Sequence, residues 1–126
     1  MSFSNYLETK VLDHVFGATA YTAPATLYVG LYTATPNDAG GGTEVSGTGH
    51  ARQSAAFTTS GDTTSNTAAI EFPTAGSNWG TVTHVGVFDA STSGNLLVYG
   101  TLSTSKLVES GDVFRIPAGD LDISLD

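Results

Sequence analysis

The sequence predicts a mainly β fold: an antiparallel β-sandwich, jelly-roll-like, of about eight short strands behind one N-terminal amphipathic helix. Three observations carry that prediction. Apolar residues recur at four-residue spacing within residues 3–16 and at two-residue spacing from Leu27 onward. Turn signals rich in Gly, Asn, Asp and Ser separate the later segments. No helical pattern lies between the strand-like segments, so the crossovers that a parallel sheet needs are missing. At 126 residues the chain reads as one domain, with the helix in 1–17 and the β-region in 26–126.

The elements follow in order. In SFSNYLETKVLDHVFG, Phe3, Leu7 and Val11 form a stripe that Leu12, Val15 and Phe16 widen. Asn5 and Glu8 are placed as a capping pair, and Gly17 is a natural stop. His14 falls in the last turn, where it suits the helix dipole as a cap or surface residue. In TLYVGLYT (26–33), Leu27, Val29 and Leu31 take one face and Tyr28, Gly30 and Tyr32 the other. HARQSAAFT (50–58) is a weaker strand, and TAAIEF (67–72) ends at Pro73. TVTHVGVFD (81–89) places His84 on the face of Val82, Gly86 and Phe88. NLLVYGTL (95–102), KLVES (106–110) and VFRI (113–116) follow. DLDISLD (120–126) alternates strictly, with Leu121, Ile123 and Leu125 inward and Asp120, Asp122, Ser124 and Asp126 outward. The long connections are expected at 34–49 and 59–66, with a shorter one at 73–80 that holds Trp79.

Composition excludes several functions. The net charge is −8 with only four Lys and Arg, which leaves no basic footprint for nucleic acid or an anionic membrane surface. With no cysteine there is no disulfide, thiolate metal site or cysteine nucleophile. The first residues lack the pattern of a signal peptide, and no apolar run approaches the roughly 20 residues of a spanning helix. Charged residues make up 13% of the chain, against roughly 25% in a typical domain. A Thr-, Ser- and Ala-rich surface of this kind suits packing against neighbours.

No catalytic or metal constellation stands out. In AGGGTEVSGTGHARQ (39–53) the glycine spacing lacks the lysine, hydroxyl and following helix of a phosphate loop. Asn37, Asp38 and Glu44 do not have the spacing of a calcium loop. Alternate acids of the last strand stand about 7 Å apart, which suits a solvated or edge-protecting face. His14, His50 and His84 are far apart, and no G-x-S-x-G elbow is present. Glu71 is expected to pair with Arg52 or Arg115. The chain therefore reads as non-enzymatic, without cofactor or metal. Tyr28, Tyr32 and Tyr99 form a strip, and with Trp79 they suit a second apolar layer or a subunit interface, the interface being preferred, or, alternatively, sugar stacking.

Four segments together carry a resemblance: LETKVLDHVFG, YTAPATLYVGLYTATPNDAGGGTEVSGTGHARQ, SNTAAIEFPTAGSNWGTVTHVGVFDASTSGNLLVYGTL and VESGDVFRIPAGDLDISLD. In order and nearly end to end, they resemble a family of small tailed-bacteriophage virion proteins, variously labelled tail fibre, minor tail or minor capsid proteins. His50 departs from the aromatic expected at its position. The resemblance implies a structural part of a virion, assembled in the host cytoplasm. The first expectation is a homo-oligomeric capsid decoration or cement protein, a trimer for instance, seated on other virion proteins such as the major capsid protein. The alternative is a tail-fibre or tail-tip module that contacts tail proteins and the host surface, for instance a glycan. A free lectin-like or enzymatic domain is the third. In the first reading 39–53 is a glycine-rich connection that lies against a neighbour. Phe3, Leu7, Val11, Glu44, Arg52 and Trp79 are the expected interface residues, with Glu44 and Arg52 setting register within the subunit or across an interface.

Overall fold

The computed structural model describes residues 1–125. It is a β-sandwich with one helix, in the order β1 (Ser2–Phe3), α1 (Asn5–Phe16), β2 (Leu27–Ala34), β3 (Thr43–Glu44), β4 (Gln53–Ala55), β5 (Phe57–Ser60), β6 (Thr63–Asn66), β7 (Ile70–Glu71), β8 (Gly80–Phe88), β9 (Leu96–Val108), β10 (Arg115–Ile116) and β11 (Asp122–Ser124). The large sheet runs β1-β9-β8-β2-β3, with β4 also paired to β2. Strands β11-β6-β5 form a second sheet and β10-β7 a small third one. Every pairing is antiparallel.

The period-two pattern places the core. Val29 and Leu31 of β2, Val82, Val85 and Val87 of β8, and Val98 and Val108 of β9 cover one face of the large sheet. Ile70, Phe72, Phe114, Ile116 and Leu121 close over them from the smaller strands and their flanks. The opposite face carries a second cluster of Tyr32, Phe88 and Leu96, with Tyr28 and Tyr99 packed beside it. The tyrosine strip expected from the alternation is thus a second apolar layer.

Several boundaries differ from the expected ones. Segments 95–102 and 106–110 are one continuous strand, β9, because both pair with β8. Between Val82↔Lys106 and His84↔Thr101, β8 contributes only Thr83 while β9 contributes Leu102–Ser105. That irregularity turns Val82 into the core and separates it from His84, whose ring nitrogens meet the hydroxyls of Thr83 and Thr101 instead. The expected loop 59–66 is a hairpin. Ser60 pairs with Thr63 across Gly61-Asp62, and Gly61 has φ 64°, the conformation a two-residue hairpin asks of its first central residue. The strand expected at 50–58 is divided at Ala56, whose carbonyl accepts from the Thr67 N–H. In the last strand Leu121 is buried and Ile123 half-buried, but Leu125 is exposed. Asp126 lies outside the described residues.

The N-terminus also differs. Phe3 belongs to β1, not to the helix, and pairs with Val98. The cap is Ser4 rather than Asn5: its Oγ accepts from the Leu7 N–H at 3.3 Å and its hydroxyl donates to the Leu96 carbonyl at 2.5 Å. Gly17 ends the helix, its N–H donating to the Asp13 carbonyl. His14 accepts from the Tyr21 N–H at 3.0 Å through Nδ1, which ties down the segment after the helix. Phe3 and Leu7 pack on the core, while Leu12, Val15 and Phe16 are exposed.

Candidate functional site

The segment 39–53 folds onto its own subunit. Asn37 bridges to Gly40, and the Ala39 N–H donates to Asn37 Oδ1 at 2.9 Å, an Asx-type turn. β3 then pairs with the far end of β2, with Glu44 opposite Tyr32. Beyond it, the Thr48 carbonyl accepts from the Trp79 indole N–H at 3.0 Å and from the Gly76 N–H at 2.8 Å.

Two glycines make room for the Arg52 side chain and its neighbours. Gly30 and Gly86 face each other across β2 and β8. A Cβ on Gly30 would stand 2.6 Å from Glu44 Oε2, and one on Gly86 would stand 2.8 Å from Leu96 and 2.9 Å from the Tyr32 ring. Without side chains there, the sheet carries a shallow trough that Arg52, Glu44, Phe88, Tyr32 and Leu96 fill.

Arg52 is the centre of that packing. Its Nε donates to Glu44 Oε2 and its Nη2 to Glu44 Oε1, both at 2.8 Å, in the fork geometry that makes Arg–carboxylate pairs strong. Nη1 donates to the carbonyls of Ala90 at 3.0 Å and Ser93 at 2.8 Å. The guanidinium carbon lies 3.5 Å from the Phe88 ring centroid, a cation–π contact. Phe88 stacks in turn on Tyr32, with centroids 6.2 Å apart. The turn that Arg52 grips is closed a second time by Asp89, which accepts from the Asn95 backbone N–H at 2.7 Å and its side-chain amide at 2.9 Å. Burial, with Glu44 next in weight, pushes the Tyr32 hydroxyl up to about 12, so it is a neutral donor across the physiological range.

These residues wall a cleft of about 590 Å³. Asn5 and Tyr6 from the start of α1 form one side, Asp38 and Gly40–Gly42 another, and the Ser93–Leu96 turn a third. The Asp38 carbonyl accepts from the Asn5 N–H at 2.8 Å, and its carboxylate accepts from the Tyr99 hydroxyl. Among the described residues, no three His, Asp or Glu side chains gather as a metal set.

The match to known proteins runs along the same chain. The family model described as Podophage GP4 fiber I protein gp80 matches residues 2–124. The chain belongs to this family. It is therefore a small tailed-phage virion protein, a fibre-related structural protein by its family's description. Comparison with curated proteins gave no match.

Of the six residues singled out from the sequence, the structure joins only Glu44 and Arg52, and it joins them within one subunit. Trp79 is 6% exposed and sits against His50, with ring centroids 5.3 Å apart, so its ring belongs to the core rather than the surface. Phe3 and Leu7 cover the core and Val11 is half-buried. Glu71 meets Arg115 at 3.9 Å, with both side chains exposed. Tyr6, Asp38, Phe88 and Asn95 were not singled out as site residues. Asp38 entered only as an oxygen ligand of a rejected calcium loop, and Asn95 only as the end of the Ser93-Gly94-Asn95 turn.

Proposed function

We propose that this chain is a non-enzymatic subunit of a virion fibre that contacts the host surface. The observation that carries the reading is the family match over residues 2–124, nearly the whole chain, to a protein described as a fibre component. The described helix is neither long nor apolar enough to cross a membrane. The outer half of α1 supports attachment to other virion proteins, since Leu12, Val15 and Phe16 are exposed and apolar. Assembly as a homo-oligomer, and seating on tail proteins or the major capsid protein, belong to the same proposal.

The test is to label intact virions with a gold-conjugated Fab raised against this chain. Gold on tail-attached appendages is the expected result. Gold distributed over the capsid shell would replace the fibre assignment with capsid decoration, the first expectation from the resemblance.

A further inference from the structure

We propose that the cleft beside Arg52 is a saccharide site selective for neutral, hydroxyl-rich glycans. The proposal deepens the fibre reading by giving the host-facing contact a place and a chemistry.

Four observations carry it. First, at about 590 Å³ the cleft falls within the roughly 300–1,000 Å³ of small-ligand sites. Second, its lining joins the group types that sugars need. The Tyr6 ring, with the Lys10 ammonium 5.6 Å from its centroid, offers an apolar face for C–H groups, while the Asp38 carboxylate accepts from hydroxyls. The Asn5 amide and the Tyr32 hydroxyl can donate to them. Asp38 Oδ1 already accepts from Tyr99, which engages one of the two carboxylate oxygens. Third, one wall is the run Gly40–Gly42, which adds no side chains of its own, and the space beside Gly40 is open.

Fourth, the cleft is built before any ligand arrives. Arg52 fastens the 89–95 turn to β3, Asp89 closes that turn, and Asp38 fastens the glycine run to both α1 and β9. Preorganised walls lower the ordering cost that weakens binding by mobile loops. Charge then sets the selectivity. Arg52 is the one cationic residue in the lining, and its fork is engaged by Glu44. With Asp38 beside it and a net charge of −8, the cleft disfavours sulfated, phosphorylated or sialylated sugars.

The experiment is a heteronuclear NMR titration of the isolated chain. The probes are glucose, galactose, mannose, N-acetylglucosamine and N-acetylgalactosamine with their disaccharides, and N-acetylneuraminic acid and chondroitin sulfate as anionic counterparts. At least one neutral sugar should shift the amides of Asp38 and Gly40–Gly42, and the anionic probes should leave them in place. Asp38→Asn, which keeps the side-chain shape, should weaken that sugar's binding by about tenfold or more. The amide spectrum of the variant shows whether the fold is retained, and Tyr6→Ala gives an independent loss from the opposite wall. No shift with any neutral sugar, shifts confined to another surface, or unchanged affinity in both variants would overturn the proposal. The titration and the virion labelling fail separately: a chain found on the capsid could still bind sugar, and a fibre subunit could bind none.

Discussion

Arg52 shows how one residue can hold several parts of a fold. Its side chain is 10% exposed and joins β3, the 89–95 turn and the aromatic layer. The sequence marked Glu44 and Arg52 as register-setting residues, but it offered Glu71 as an ion partner for Arg52 and did not pair the two with each other. The Phe88 contact was not legible, because it depends on the register that sets Gly30 opposite Gly86. His50 offers a sharper test. Its ring stacks on Phe72 and meets Trp79 edge-on, and its buried Nε2 has no hydrogen-bond partner among the described residues. Burial lowers its pKa below the usual 6.5, outweighing the opposing pull of Glu44, with Arg52 adding a smaller downward push. The folded protein therefore holds fewer protons here than the unfolded chain. Stability from this site is fully present above pH 6.5 and is lost as pH falls toward the depressed value. Melting temperatures from pH 8 to 5 should show that decline, and His50→Phe should flatten it. The same change should add about 1 kcal/mol at pH 7 by removing an unpaired polar atom. An unaltered acid slope in the variant would assign the decline to other groups.

At the scale of elements, the period-two segments were the legible ones. β2 keeps its expected faces, and β8 keeps them from His84 to Phe88 but not at Val82, because both sides of each strand are covered there, by the valine core and by the tyrosine layer. Elements set by long-range pairing were less legible. β1 is two residues long and exists only because β9 offers it an edge. The helix shows the same division. Its apolar stripe suggested a single face, but the first turn is tied to the sheet while Leu12, Val15 and Phe16 face outward. Replacing any one of those three by Ser should change stability by no more than about 0.5 kcal/mol. Ser4→Ala should cost about 1–2 kcal/mol, since it removes the cap and leaves the Leu96 carbonyl without its donor. Urea midpoints at constant slope measure both changes. The reverse ranking would mean that the outer helix face is the stabilising one.

For the molecule as a whole, one cluster runs from Val29 to Leu121 and draws on the large sheet and on both smaller ones. A core shared in this way predicts a single cooperative transition. Trp79, the only tryptophan, is buried in that cluster and bonded to Thr48, so its fluorescence reports on the core directly. Fluorescence and far-ultraviolet circular dichroism should give coincident urea curves. Separate midpoints would mean that the small sheets unfold apart from the large one. The N-terminal anchorage also has a consequence in time. Ser2 and Phe3 pair with Tyr99 and Val98, and Ser4 bonds to Leu96 and Leu97. A ribosome adding about 5–20 residues per second takes roughly 5–20 s to reach those partners. A 12-residue helix is marginal alone and relaxes in about a microsecond. Residues 2–7 are thus secured well after they are made, and Phe3 and Leu7 wait in solvent until Leu96–Tyr99 have been translated.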